Sequence, residues 1–395
     1  MIDLGDRINA RLQEALFWCY ALFLAGFFIL PEAPDHYKLY YLLVFLPTLM
    51  LWRKITRLHA RNALFLFVVA YSAYMLVSIG WSDNLTLPAA AQVAWHSILA
   101  FSFVAATGLL ASEYPNRYDL LLHRLVWLAG IAGAASILAF YSEHAFPMTR
   151  LQPPLSRMDN AVLASYSYGI FCLLAVHYLV NSVTSRDKLL NVLFVILLLA
   201  TILLTQSRTV LLALGIGFVI LLGLRGMVVV SVLAVGVSVV LIVNPDLWQQ
   251  QLTRGLSFRP AIWQAVVEQA TEHWYFGRGY LTDTTIQVNG EGVVHAHAHS
   301  AYLATLRDGG LFGLALLFAM LSVAVYWAVK LAQGGERLYL GLLAYAMVCV
   351  ISDIDRLLSR PKEHWLFFWL PVALVMAVYS NRWLVVKEVR QADSA

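Results

Sequence analysis

The sequence predicts an all-α polytopic membrane protein with about twelve transmembrane helices. Three observations carry that expectation: a charged content of 13% beside a hydrophobic content of 61%, apolar runs along nearly the whole chain, and basic residues gathered in alternate loops. A soluble domain carries roughly 25% charged residues. About half of that polar coat is missing here, so lipid must cover most of the surface. The net charge of +4 over 395 residues is small and argues against a nucleic-acid partner.

A helix crossing the hydrocarbon core needs about 20 mostly apolar residues. Such runs fall near residues 14–31, 39–52, 63–80, 89–111, 124–141, 161–180, 189–205, 209–224, 227–244, 311–330, 338–352 and 364–380. Arg7 and Arg11 precede the first run, but no small-x-small cleavage site follows and more spans come at once, so a retained signal anchor is expected. Cys19, Cys172 and Cys349 lie singly inside apolar runs, which suits neither a disulfide framework nor a zinc site.

Orientation follows from Lys and Arg in the loops. With the N-terminus inside, most of the 27 basic residues fall in cytoplasmic segments, led by Arg53, Lys54, Arg57 and Arg61. Both termini come out cytoplasmic. The chain then divides into 1–244 with nine spans, a large external loop over 245–310, and 311–395 with three spans and a short tail.

The external basic residues run against this bias and point to use on an anion. Arg254, Arg259, Arg278 and Arg307 fall in or beside the large loop, Arg150 and Arg157 share another, and Arg356, Arg360 and Lys362 a third. Arg208, in Thr205-Gln206-Ser207-Arg208, stands at a helix end with almost no connecting loop. Such a charge is costly unless paired or solvated. It reads either as a snorkelling residue or as an anion contact at the mouth of the bundle, and its external placement favours the second.

Within the large loop, Arg259-Pro260-Ala261-Ile262-Trp263 begins a helical pattern, with Ile262, Val266, Ala270 and Trp274 on one face. Pro260 suits a first helical turn. Arg259 therefore combines a guanidinium with a helix N-terminus, both of which attract anions. The amphipathic helix should end near Gly277-Arg278-Gly279, and a second helical stretch from Tyr302 should break at Asp308-Gly309-Gly310. Between them, His295, His297 and His299 alternate. Extended, they would face one side as metal ligands; otherwise one of them serves as a general base and the others are loop residues.

Ser207-Arg208, Arg259 to Trp263, Gly277-Arg278-Gly279, His299-Ser300-Ala301-Tyr302-Leu303 and Gly310-Leu311-Phe312-Gly313 follow in an order that resembles the O-antigen ligase and polymerase superfamily. Arg150 to Ala164, with Asp159-Asn160, is similar more loosely. The resemblance covers the topology, while its specific motifs occupy about 205–313. The family usually has His-Asn where this chain has His299-Ser300; Tyr302-Leu303 and the downstream glycines fix the frame on His299.

The resemblance implies a GT-C-like, metal-independent, inverting glycosyltransferase that needs no cofactor. Its implied donor is a glycan on undecaprenyl pyrophosphate at the periplasmic face of the inner membrane. Its implied acceptor, in ligases, is a sugar hydroxyl of the lipid A-core. His299 would be the general base, and Arg208 and Arg259 would hold the pyrophosphate. Arg254, Arg278, Arg150 and Arg157 would be further contacts to it or to acceptor phosphates. The moderate loop at 142–160 tilts the reading toward a ligase and away from a polymerase using the same donor. Protein O-oligosaccharyltransferases commonly add a soluble C-terminal domain, which the short tail argues against. A secondary transporter suits twelve spans, but such proteins show internal repeats and none is found here.

Overall fold

The computed structural model describes residues 4–253, 258–287 and 294–392. Helix α1 spans Leu4–Ile29. After a short turn, α2 (Ala33–Leu39) passes through a π-helical turn, Tyr40–Phe45, into α3 (Leu46–Met50). The second expected span is thus one continuous but irregular helical segment. The short α4 (Trp52–His59) buries Ile55 and His59 and turns its basic residues outward.

Side-chain caps then set several starts. Asn62 accepts from the Phe65 amide to begin α5 (Ala63–Val77). After α6 (Leu87–Glu113) and α7 (Pro115–Tyr141), Asn160 caps α8 (Ala161–Asn181) and Thr184 caps α9 (Ser185–Leu204). Each such cap satisfies an amide that the first helical turn leaves unpaired. Helices α10 (Arg208–Leu222) and α11 (Leu224–Val243) complete the first half. Among the described residues, nine helices are long and apolar enough to cross a membrane, and Arg208–Leu222 and Arg337–Cys349 are shorter apolar helices. With the irregular 33–50 segment, these occupy the places of the twelve expected spans. The protein is a multi-pass helical membrane protein.

The region between α11 and the next span holds α12 (Pro245–Thr253), α13 (Arg259–Thr271) and a two-residue antiparallel ladder of β1 (Ile286–Gln287) with β2 (Val294–His295). Ile262, Val266 and Ala270 form the buried face of α13, while Trp274 lies past the helix end and stays part-exposed. Helix α14 runs Ala301–Gln333, and its 33 residues make it about 50 Å long. A hydrocarbon core is only about 30 Å thick, so α14 overshoots it. The overshoot is set off by a kink at Gly310, with φ 63° and ψ −165°.

Helix α15 (Arg337–Cys349) is the opposite case. Thirteen residues reach about 20 Å, short of a full crossing, and an irregular segment, residues 350–364, continues before α16 (Leu370–Ala392), which a π-helical turn at Trp365–Trp369 introduces. Irregular backbone at membrane depth is tolerated where protein buries it or a cavity is lined by it. Here Ser352, Leu357, Leu358, Glu363 and His364 are all buried. Helix α10 packs along α15, α14 along α5, and α16 along α6, so the irregular segment joins two helices that are each packed against a neighbour.

Candidate active site

The 350–364 segment gathers the other elements around Asp353. Its backbone is stitched to the start of α14: the Ala301 amide donates to the Val350 carbonyl at 3.0 Å, and the Asp353 amide to the His299 carbonyl at 2.9 Å. Both His299 (φ 49°) and Asp353 (φ 67°) adopt the left-handed conformation, which is uncommon outside glycine and clusters where surrounding structure enforces it. The result brings the His299 Nδ1 to 3.2 Å from Asp353 Oδ1. The other carboxylate oxygen, Oδ2, accepts from Arg259 Nη2 and from the Ser352 hydroxyl at 3.1 Å.

Electrostatics fix the protonation pattern. Burial pushes the Asp353 carboxyl up, but the His299 hydrogen bond and the Arg259 charge outweigh it and hold it below the usual carboxylate range. An ionised carboxylate only accepts hydrogen bonds, so the hydrogen between the two lies on Nδ1 of His299, and Nε2 is the nitrogen turned away from Asp353. The His299 side chain is 25% exposed, so solvent or substrate reaches the ring. A base oriented by a carboxylate is the arrangement used for proton abstraction.

Arg259 occupies the first position of α13, after Phe258 in a left-handed conformation (φ 55°). Asp353 engages Nη2, which leaves the donors on Nε and Nη1 for a ligand. Arg208 stands beside the same cluster in the chain, on another element. Gln206, again left-handed at φ 51°, reverses the chain between α9 and α10, so that Arg208 becomes the first residue of α10. Its neighbour Thr209 approaches the Ser352 hydroxyl at 3.2 Å, and Tyr166 of α8 approaches it at 2.9 Å. Ser352 therefore joins the α10 N-terminus to the Asp353 cluster. Arg150 braces this turn, its Nε donating to the Thr205 carbonyl at 2.8 Å, while the Gln206 side-chain Nε2 donates to the Pro147 carbonyl at 2.9 Å.

The other expected anion contacts lie elsewhere or are engaged otherwise. Arg157 is buried, 2.9 Å from His36 Nδ1 and 3.6 Å from Glu363 Oε1, in the corner between α1 and α2. Arg278 reaches Asp83 at 3.2 Å. Arg254 lies outside the described residues. Arg307, which the charge pattern groups with the external cations, is fully buried: its Nε meets Asp308 Oδ1 at 2.7 Å and its Nη2 lies 3.5 Å from Asp355 Oδ1. Arg356 closes the set onto Asp308 Oδ2 at 2.9 Å. Two cations and two anions thus balance beneath the site, and Asp355 also accepts from the Ala298 amide at 3.4 Å, next to His299.

The three histidines do not line up on an extended strand. Only His295 is in β2; the His297 and His299 rings lie tilted against each other with centroids 4.1 Å apart, while the His295 ring is 6.4 Å from that of His299. Burial, and then the neighbouring His299, push the His297 imidazole down. Among the described residues no three His, Cys, Asp or Glu side chains converge as a metal set.

Sequence reasoning missed Asp353, Ser352 and Tyr166. A signal was present, since Asp353 and Asp355 sit where an apolar run ends and charge there needs a partner. Only the basic residues of that loop drew attention.

The fold and this site define a polytopic membrane protein whose His299–Asp353–Arg259 cluster sits at one end of the helical bundle, on loops and helix termini. Residues 193–318 match the family described as O-Antigen ligase. An O-antigen ligase of Pseudomonas aeruginosa is 30% identical over 372 residues, covering 90% of this chain and 88% of the relative. The chain belongs to the O-antigen ligase family, and so to lipopolysaccharide biosynthesis.

Proposed function

We propose that the protein transfers a glycan from undecaprenyl pyrophosphate to a sugar hydroxyl of the lipid A-core, at the periplasmic face of the inner membrane. The observation that supports this most is the His299–Asp353–Arg259 constellation: an imidazole and a guanidinium joined through one carboxylate. In this reading the acceptor hydroxyl gives its proton to His299 Nε2. Its oxygen attacks the anomeric carbon of the donor sugar, and the bond from that carbon to the pyrophosphate oxygen breaks. Undecaprenyl pyrophosphate leaves with the electron pair, and one displacement inverts the anomeric centre.

Arg208 and Arg259 act on the leaving group. Charge grows on the pyrophosphate as the bond breaks, and fixed cations aimed at developing charge supply a large share of rate enhancement. Arg150 holds the turn that presents Arg208; Arg278 and Arg254 are further contacts for donor or acceptor phosphates. Asp353 stabilises the imidazolium that forms on His299. No step calls for a metal or cofactor.

The test is transfer by purified protein supplied with undecaprenyl-pyrophosphate glycan and lipid A-core in the presence of EDTA. Glycan on the lipid A-core is the expected product. Longer glycan on undecaprenyl pyrophosphate, with the core untouched, would make the protein a polymerase instead, and loss of transfer with EDTA would restore a metal site.

A further inference from the structure

The other end of the bundle carries a second polar feature that this chemistry does not use. Helix α5 gives the frame: its C-terminal end, through Tyr74, bonds the Gly309 carbonyl beside the site, while α4 precedes its N-terminal end. At that far end a cleft of about 900 Å³ opens between the start of α1, α4 and the end of α6. Asn9, Gln13, Arg53, Lys54, Arg57 and Glu113 supply its polar lining.

The lining is unbalanced in charge. Lys54 pairs with Glu113 at 2.6 Å, which uses the one carboxylate that the described residues place in the cleft. Arg53 and Arg57 stand four residues apart and so share a face of α4, and neither has an ion-pair partner among the described residues. Tyr114 donates to the Gln13 Oε1 at 3.2 Å, which fixes the amide and leaves its NH₂ donors for the cleft. Two guanidiniums and an amide are thus held around one space, and guanidinium geometry suits phosphate oxygens.

The surroundings say what carries the phosphate. Helix α4 lies between two membrane segments with Ile55 inward and its cations outward, the pattern of a helix in the plane of the interface. Met50, 70% exposed, stands at the mouth, and Leu51 and Leu58 line the wall beside the cations. A free phosphate has no use for that apolar border, whereas a lipid glycerol and acyl chain do. We propose that the cleft binds the phosphodiester headgroup of an anionic phospholipid from the leaflet on that side.

The experiment uses the full chain, delipidated in neutral detergent, with lipid retention read by native mass spectrometry and melting by tryptophan fluorescence. Phosphatidylglycerol should bind and raise the melting temperature, while phosphatidylcholine and inorganic phosphate should not. Arg53→Gln with Arg57→Gln should weaken phosphatidylglycerol binding by about thirty-fold and leave melting without lipid unchanged, since both residues are exposed. Arg186→Gln with Lys188→Gln removes two exposed basic residues at the same end but outside the cleft, and should retain binding. Equal losses in the two double variants would overturn the proposal in favour of diffuse attraction. A shift reproduced by inorganic phosphate would overturn the lipid assignment.

Discussion

At His299 the imidazole is anchored through one nitrogen, and that asymmetry sets what each substitution does. His299→Ala removes the base and should abolish transfer in the purified assay while the protein still reaches the membrane. Arg208→Ala and Arg259→Ala should each lower turnover by two or more orders of magnitude, as loss of charge stabilisation does, and near-normal turnover in either would remove it from the mechanism. Asp353→Asn is more diagnostic. It keeps the size of the side chain but takes away the negative charge that orients His299 and would stabilise an imidazolium formed there. Turnover should fall about a hundred-fold while KM holds. Turnover near that of the parent would show that Asp353 only supports the loop. The same carboxylate links stability to pH. Its folded-state pKa lies below the ordinary value of 3.8, so its contribution is present above about pH 4, and is lost as pH falls through the lower folded value. Melting temperature should therefore drop on acidification below about pH 4 in the parent and less steeply in Asp353→Asn.

Among the elements, α14 carries the greatest constraint. Gly310 holds a positive φ, and a Cβ there would stand 2.4 Å from the Tyr275 carbonyl carbon and oxygen, while one on Gly277 would stand 2.4 Å from the Gly310 nitrogen. The 274–279 turn and the α14 kink therefore touch backbone to backbone, and this contact sets where residues 301–309, and with them His299, enter the site. Gly310→Ala should lower stability by at least about 1–2 kcal/mol from conformation alone, with clash added. Arg307→Leu would leave Arg356 alone to offset Asp308 and Asp355, and the buried charge left over should cost up to about 3–5 kcal/mol, read as a fall in melting temperature. The α13 face, the Gly310 break and the turns around Arg208 and Arg259 were legible because periodicity, Pro and Gly act locally. Partners were not. His299 and Arg259 meet Asp353 across 54 and 94 residues, and Arg157 meets Glu363, so each Arg showed its charge in the sequence but not the acid that packing supplies.

Over the whole molecule the two ends differ in kind. One end has irregular backbone sunk between α10, α15 and α14, with basic residues matched to acids or held at helix starts. The other has short links and clustered cations at α4, Arg186, Lys188 and Arg382. Apolar runs reveal how many times the chain crosses, and the basic bias assigns sides, because charged loops resist translocation; neither reveals that α15 stops short and that irregular backbone follows it. If the bias orients the bundle, the site end faces the periplasm. Single cysteines at Glu143, in the loop after α7, and at Val183, in the loop after α8, lie at opposite ends and are both exposed. In cells with a permeabilised outer membrane, an impermeant maleimide should label Glu143→Cys above the background of the native cysteines. Val183→Cys should react only after the inner membrane is opened. The reverse pattern would put His299 and its cations in the cytoplasm, away from a donor displayed on the periplasmic face, and the proposed transfer would fail with the orientation.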